Sequence, residues 1–97
     1  MSNITSDLSP DFDHSQVTVG TTRAALSASV LRTVTRGIQI VALKSNSGIV
    51  YVGKSKVTTL NGLPLNPGDG IFIPISDPTK ISLVSDSESQ KVALLIT

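Results

Sequence analysis

Apolar and polar residues alternate in short runs along most of this chain, and turn-forming residues separate the runs. The clearest runs lie at residues 17–19, 37–44, 49–53, 71–75, 80–85 and 90–97. A period of two is the pattern of a half-buried β-strand, and about seven short strands spaced roughly 8–12 residues apart are typical of a two-sheet structure. We therefore predict an all-β fold, a small antiparallel β-sandwich or jelly-roll-like domain, over residues 17–97.

The strongest pair of neighbouring runs joins residues 37–44 to residues 49–53. The residues between them, Ser45-Asn46-Ser47-Gly48, are a turn signal, so the pattern predicts a β-hairpin. Runs 37–44 and 90–97 also carry apolar residues on both faces, whereas a small sandwich covers only one face of each sheet. We expect the second face of these strands to contact another subunit.

Four other segments have weaker or interrupted β patterns. Residues 54–60 are more polar and are expected at a sheet edge, where lysines discourage further pairing. Residues 23–31 are rich in Ala and Ser, which predicts an irregular crossing, and residues 61–70 hold two Pro and three Gly, which predicts a long connection full of turns. Pro74 cannot donate a ladder hydrogen bond, so the strand at 71–75 is expected to lie at an edge or to end there.

Residues 1–16 differ from the rest of the chain and are predicted to form an extended N-terminal arm. They are rich in Ser, Asp and Asn, and the apolar residues Ile4, Leu8 and Phe12 recur at every fourth position. So few apolar groups cannot offset the entropy of ordering the segment alone. We expect the arm to become ordered against a partner, with Ile4, Leu8 and Phe12 in the contact.

The charge distribution separates the arm from the body. The arm holds three Asp and no Lys or Arg, whereas eight basic residues face four acidic ones after residue 16. This asymmetry favours attraction between arm and body, within one chain or between chains. Arg32 and Arg36 are the basic residues that we expect to meet an acidic protein surface, and a solvent-facing loop is the alternative interpretation.

Composition argues against several classes of partner and chemistry. The net charge of +1 is too small to predict a nucleic-acid partner. No apolar run approaches the ~18 residues of a membrane helix, so we expect no membrane partner. The chain has no Cys, which excludes disulfide and thiolate chemistry.

Candidate catalytic and metal-binding residues are few. Asp11, Asp13 and His14 could offer oxygen and nitrogen ligands to a divalent ion, but they lie in the predicted arm without supporting residues, and a solvated acidic segment is the preferred interpretation. No G-x-S-x-G motif is present, and His14 is the only imidazole. We therefore predict a protein that is not an enzyme and holds no metal or cofactor. A body of this size is also expected to lack a ligand cavity of about 300 Å³ or more.

The order of the β segments resembles a known family. The segments are VTVG (17–20), GIQIVALKSNSGIVYVG (37–53), VTTLNGLPLNPGDGIFIPI (57–75) and ISLVSDSESQKVALLIT (81–97). Together they are similar to the small β-sandwich domains of bacteriophage capsid decoration (cement) and head-fibre proteins. The resemblance covers most of residues 17–97, departs from the family in the Ala- and Ser-rich segment 23–31, and does not extend to the arm.

The resemblance implies a function based on binding. It implies a capsid decoration protein that is made in the host bacterial cytoplasm, binds the major capsid protein on the outer surface of the virion and acts as a homo-oligomer, with a trimer favoured. It brings no catalytic residues. The alternative is a receptor- or carbohydrate-binding module of a head or tail fibre. Whether the arm docks on a sister subunit or on the shell stays open.

Overall fold

The structure, a computed structural model, describes residues 12–26 and 36–97. Within these ranges it contains one short 3-10 helix, Pro78–Lys80, and eight strands. The strands are β1 (Asp13–Val19), β2 (Ala24–Ala25), β3 (Ile38–Ala42), β4 (Val50–Gly53), β5 (Leu63–Leu65), β6 (Gly70–Ile73), β7 (Ser82–Ser85) and β8 (Gln90–Ile96).

The eight strands form two antiparallel sheets that pack face to face. The first sheet has the order β1-β8-β3-β6 and the second has the order β2-β7-β4-β5. The connection from β4 to β5 stays within one sheet, and every other connection between consecutive strands crosses from one sheet to the other. This connectivity is of the jelly-roll type. The predicted all-β class, an antiparallel β-sandwich, is confirmed.

Aliphatic side chains from the inner faces of both sheets form the core. Alternation along β3 and β8 turns every second residue inward, and Ile38, Ile40 and Leu94 are at most 2% exposed. Val50 and Leu83 meet them from the second sheet. The core is therefore formed by the inward-facing residues of both sheets. These residues occupy every second position along the strands, as the sequence pattern indicates.

The predicted hairpin between residues 37–44 and 49–53 is wrong. β3 pairs with β6 and β8, whereas β4 pairs with β5 and β7. The turn signal at residues 45–48 is real, but the chain uses it to pass from the first sheet to the second. A turn signal reports that the chain bends, and it contains no information about which strand the next run will pair with.

The first strand starts four residues earlier than the pattern predicts. Strand β1 begins at Asp13, so residues 13–16, which the sequence pattern places in the arm, pair with β8 from Asp13↔Ile96 to Gln16↔Ala93. Their side chains are polar and leave no apolar alternation. Backbone pairing along the edge of an existing sheet nevertheless extends the strand, because it satisfies the main-chain N–H and C=O groups.

Two short strands lie in segments for which irregular structure was predicted. Strand β2, within residues 23–31, pairs with β7, and strand β5, within residues 61–70, pairs with β4. Residues 54–60 form no strand and instead make turns, with Val57 buried. The prediction for residues 71–75 is confirmed, because β6 is an edge strand and ends at Ile73, directly before Pro74.

Candidate interaction surfaces

The outward side of the first sheet carries an apolar patch. Because side chains alternate along each strand, the inward rows of β3, β8 and β6 leave a second set of residues pointing away from the core. We call this set the outer face, and its apolar members are Val41, Phe72, Ala93 and Leu95. Phe72 is 46% exposed and Leu95 is 41% exposed.

Strand register brings these four residues together. Leu95 lies opposite Gln39, which lies opposite Phe72, and in the next row Ala93 lies opposite Val41. Directly opposite residues on one sheet face are close enough for their side chains to touch. The outer face therefore extends across three strands, with the polar side chain of Gln39 between Leu95 and Phe72.

Two glycines shape the outer face. A Cβ at Gly70 would lie 2.9 Å from Cγ2 of Val41, so the absence of a side chain there leaves room for Val41. A Cβ at Gly37 would lie 2.5 Å from Cζ of Phe72, so the aromatic ring lies over this glycine. The Phe72 ring thus occupies space that a side chain at residue 37 would fill.

A second surface is a groove between the two sheets at the edge formed by β5 and β6. Its volume is about 870 Å³. Most of its walls are aliphatic and come from both sheets and from the segments next to them; these side chains are Val52, Leu63, Ile71, Ile73, Ile75 and Ile81. The groove is therefore suited to an apolar occupant.

The groove contradicts the expectation that the sandwich has no ligand-sized cavity. Its strands are short at this edge, with three residues in β5 and four in β6. Ile71 and Ile73 turn toward the core but stay half-buried, and Leu63 is exposed. With only three aromatic residues in the chain, no large ring is available to close the space between the sheet edges.

Polar and basic groups complete the wall of the groove. They are Lys54, Ser55, Thr79 and Lys80. Thr79 belongs to the 3-10 helix, whose N-cap Asp77 accepts hydrogen bonds from the Thr79 hydroxyl at 2.6 Å and the Thr79 N–H at 3.0 Å. These hydrogen bonds, together with the charge of Lys80, lower the pKa of Asp77 below its usual range. Asp77 thus partly offsets the charge of Lys80, and Lys54, which directly follows Gly53 opposite Ser82, adds a second positive charge to the wall of the groove.

An ordered turn next to the groove presents another apolar residue. The side chain of Asn61 accepts from the Thr58 N–H at 2.7 Å, and the Thr58 hydroxyl accepts from the Leu60 N–H at 3.2 Å. Leu60 is 96% exposed on this turn. The same loop carries Lys56, which with Lys54 lines a shallow depression of about 340 Å³.

Only part of the predicted interface set lies within the described residues. Ile4, Leu8 and Arg32 lie outside them. Phe12 is 59% exposed directly before β1, and Arg36 is exposed shortly before β3. Asp13 and Ile38 are both aligned with Ile96, so Phe12 and Arg36 lie at the same end of the first sheet. The sequence did not identify the groove, because its walls come from residues far apart in the chain.

No metal-binding cluster of three or more His, Cys, Asp or Glu occurs within residues 12–26 and 36–97. Asp11, one member of the cluster considered from the sequence, lies outside these ranges.

None of the helices in the described part of the chain is long and apolar enough to cross a membrane.

Comparisons of the chain with protein-family models, with curated proteins and with solved structures found no match.

Proposed function

We propose that this protein is a non-catalytic capsid decoration protein of a bacteriophage, located on the outer surface of the virion. It acts as a homo-oligomer, with a trimer favoured, and it binds the major capsid protein so that neighbouring parts of the shell are held together. Added interface area between capsid subunits is the physical means by which such a protein stabilises a shell.

The outer face is the observation that carries this proposal. Phe72 and Leu95 are large apolar residues on a regular sheet, and both are more than two-fifths exposed in the single chain. Large apolar side chains grouped on an exposed surface with polar surroundings are typical of contacts with other proteins. His14 and Gln16 from β1 border the patch on one side, in register with Leu95 and Ala93.

The fold is compatible with this function. Jelly-roll sandwiches serve both as capsid domains and as lectins. The architecture therefore fits a capsid decoration protein and a carbohydrate-binding module equally well. The resemblance of the ordered β segments to phage decoration domains favours the capsid assignment.

Counting copies in virions tests the proposal. The number of copies of this chain in purified virions of the phage that encodes it would be measured by quantitative mass spectrometry, with the major capsid protein as the internal reference. A decoration protein is expected in numbers comparable to those of the major capsid protein. A few copies per virion, or none, would contradict the proposal.

A receptor- or carbohydrate-binding module is the second candidate, and the exposed ring of Phe72 favours it, because sugars stack on exposed aromatic rings. A glycan array with the purified protein distinguishes the candidates. Specific glycan binding that Phe72→Thr abolishes would support the fibre module, whereas no binding together with a high virion copy number supports decoration.

A further inference from the structure

Strand β1 presents the longest strand edge without a neighbouring strand in the described part of the chain. The other edge strands, β2, β5 and β6, have two, three and four residues, and Pro64 lies within β5. Strand β1 has seven residues, contains no Pro or Lys, and keeps an unbroken register with β8. Short length, Pro, Lys and bulges are the means by which edge strands avoid pairing with other chains. Strand β1 has none of them, so its edge is open to a further strand.

The hydrogen bonds of β8 show which main-chain groups of β1 point to this edge. The carbonyl of Lys91 accepts from the Leu43 N–H at 3.1 Å, so the main-chain groups of Lys91 point toward β3 and away from β1. Thr18 lies opposite Lys91 and is therefore not hydrogen-bonded to β8. Because the direction alternates along a strand, the N–H and C=O groups of His14, Gln16 and Thr18 all point to the open edge.

Two copies of β1 can pair through these groups without conflict. Antiparallel strands form hydrogen bonds where an outward residue of one lies opposite an outward residue of the other. When Gln16 lies opposite Gln16 of a second copy, His14 lies opposite Thr18 and all seven residues overlap. The two Asp13 carboxylates then lie at opposite ends of the strand pair, so no like charges face each other. In the single chain the His14 N–H donates to the Asp13 side chain at 2.8 Å, and that side chain must turn away when the strand is added.

The sequence before β1 is unsuited to cover the same edge as a hairpin. Residues 9–12 are Ser, Pro, Asp and Phe, and the first Gly of the chain is Gly20. The short turns that join hairpin strands need residues with positive φ, for which Gly is favoured, whereas Pro10 fixes a negative φ. The added strand is therefore expected from another molecule, and β1 itself has the matching length and register.

We propose that β1 of one molecule pairs antiparallel with β1 of a second copy about a two-fold axis at Gln16. The two four-stranded first sheets then form one continuous sheet. Closed two-fold contacts of this kind are the most common among homo-oligomers. The edge buries little apolar surface, so this contact is weaker than one through Phe72 and Leu95 and is detected at higher protein concentration. It requires neither the capsid nor the outer face, so its failure would leave the proposed decoration function intact.

Cysteine cross-linking tests the pairing and its register in the full chain, which has no native Cys. Gln16→Cys places one thiol of each copy at the two-fold axis, where opposite Cα atoms are about 5.5 Å apart, within the range of a disulfide. His14→Cys and Thr18→Cys lie opposite each other, but each lies roughly 13 Å along the strand from the same residue of the second copy. All three side chains are exposed in the single chain.

The expected products of mild oxidation are a homodimer of Gln16→Cys and a mixed dimer of His14→Cys with Thr18→Cys. Both yields should be several-fold above those of the homodimers of His14→Cys and of Thr18→Cys. One partner of the mixture carries an isotopic label, so that mass spectrometry identifies the mixed dimer. Equal yields for all pairs would indicate random collision, and absence of the Gln16→Cys dimer would show that the edge does not meet its copy; either result overturns the proposal.

A change of one main-chain donor provides the second test. Gln16→Pro removes an N–H group that the added strand needs and β8 does not use, so the sandwich is expected to stay folded, as circular dichroism would verify. Gln16→Thr is the matched control because it keeps the N–H group. In both partners of the pair of His14→Cys with Thr18→Cys, Gln16→Pro is expected to lower the yield several-fold and Gln16→Thr to leave it unchanged. Equal yields with the two replacements would show that main-chain pairing does not form the contact and would overturn the proposal.

Discussion

At the scale of single residues, Gly37 combines two demands that only glycine meets. Its φ is +155°, and a Cβ there would lie 2.5 Å from the carbonyl oxygen of Ile73 and 2.5 Å from Cζ of Phe72. The same residue accepts a hydrogen bond from the Thr97 N–H at 3.0 Å. Gly37 thus lies where β3, β6 and the end of β8 meet, and space and backbone conformation both exclude a side chain.

Replacing Gly37 by Ala is therefore expected to lower the free energy of unfolding by about 2–4 kcal/mol, from overpacking together with backbone strain. Gly68 is the matched control. It also has a positive φ, +94°, but a Cβ there would meet only the Lys44 side chain at 3.5 Å or more. Gly68→Ala should cost about 1–2 kcal/mol, the strain alone. Denaturant unfolding of the two variants measures the difference, and equal losses would show that space at Gly37 is not limiting.

The core residues could be predicted from the sequence, whereas the role of Gly37 could not. Ile38 and Ile40 occupy alternate positions of an apolar run, so their burial follows from local periodicity. The crowding at Gly37 involves Ile73 and Phe72, more than thirty residues away. Only the pairing of β3 with β6 brings those atoms together.

At the scale of elements, two side-chain amides hold the crossing from β3 to β4. Oε1 of Gln90 accepts from the Ser47 N–H at 2.8 Å and the Gly48 N–H at 2.9 Å, and its Nε2 donates to the Glu88 carbonyl at 2.8 Å. Asn46 exchanges two hydrogen bonds with the backbone of Lys91, at 2.8 and 2.9 Å. The turn at residues 45–48 is thus fixed to the start of β8, which directs the chain away from a hairpin.

The two amides should differ in their contribution because Gln90 is buried and the Asn46 hydrogen bonds are exposed. Gln90→Leu leaves two N–H groups without their acceptor, one of them buried, and should lower the free energy of unfolding by about 2–4 kcal/mol. Water can replace the lost hydrogen bonds in Asn46→Leu, so that change should cost about 1 kcal/mol. Chemical denaturation compares the variants. A loss at Asn46 as large as that at Gln90 would mean that burial does not determine the effect.

Long strands with their own apolar alternation could be predicted from the sequence, whereas short strands that form only by pairing with a longer strand could not. Strands β3 and β8 have strong alternation and were found close to their predicted positions. Strand β2 has two residues and β5 has three, and each exists because a longer strand in the same sheet offers backbone partners. A segment this short contains too little periodicity to identify, and its conformation is determined by tertiary pairing.

At the scale of the whole molecule, the outer face could be predicted in part from the sequence, whereas the groove could not. The apolar second faces of residues 37–44 and 90–97 predict apolar residues on the outside of the sheet, and Val41, Ala93 and Leu95 do point outward from the sandwich. Their contact with another subunit stays a prediction. The groove could not be predicted, because it depends on how far two edge strands from different sheets lie apart. The aliphatic alternation of Ile71, Ile73 and Ile75 next to Pro74 marks one wall, but nothing local indicates an opposing wall.

The outer face leads to a prediction about assembly. Burying Phe72 and Leu95 at a contact between copies should contribute about 3 kcal/mol or more, since each large apolar side chain contributes about 1.5–3 kcal/mol when fully buried. The wild-type protein is expected to self-associate at micromolar to tens of micromolar concentrations, with a trimer favoured. The double variant Phe72→Thr/Leu95→Thr keeps residues with high β-propensity and should associate about a hundredfold more weakly.

Sedimentation equilibrium measures this change, and circular dichroism verifies that the variant keeps its β structure. Leu60→Thr is the matched control, because Leu60 is the most exposed large apolar residue of the described ranges but lies on a turn away from the outer face. Its replacement should leave the association constant unchanged. A monomeric wild type, or a double variant that associates as tightly as the wild type, would show that the outer face does not join copies of this chain. A weakened Leu60→Thr variant would instead place the contact at the turn beside the groove.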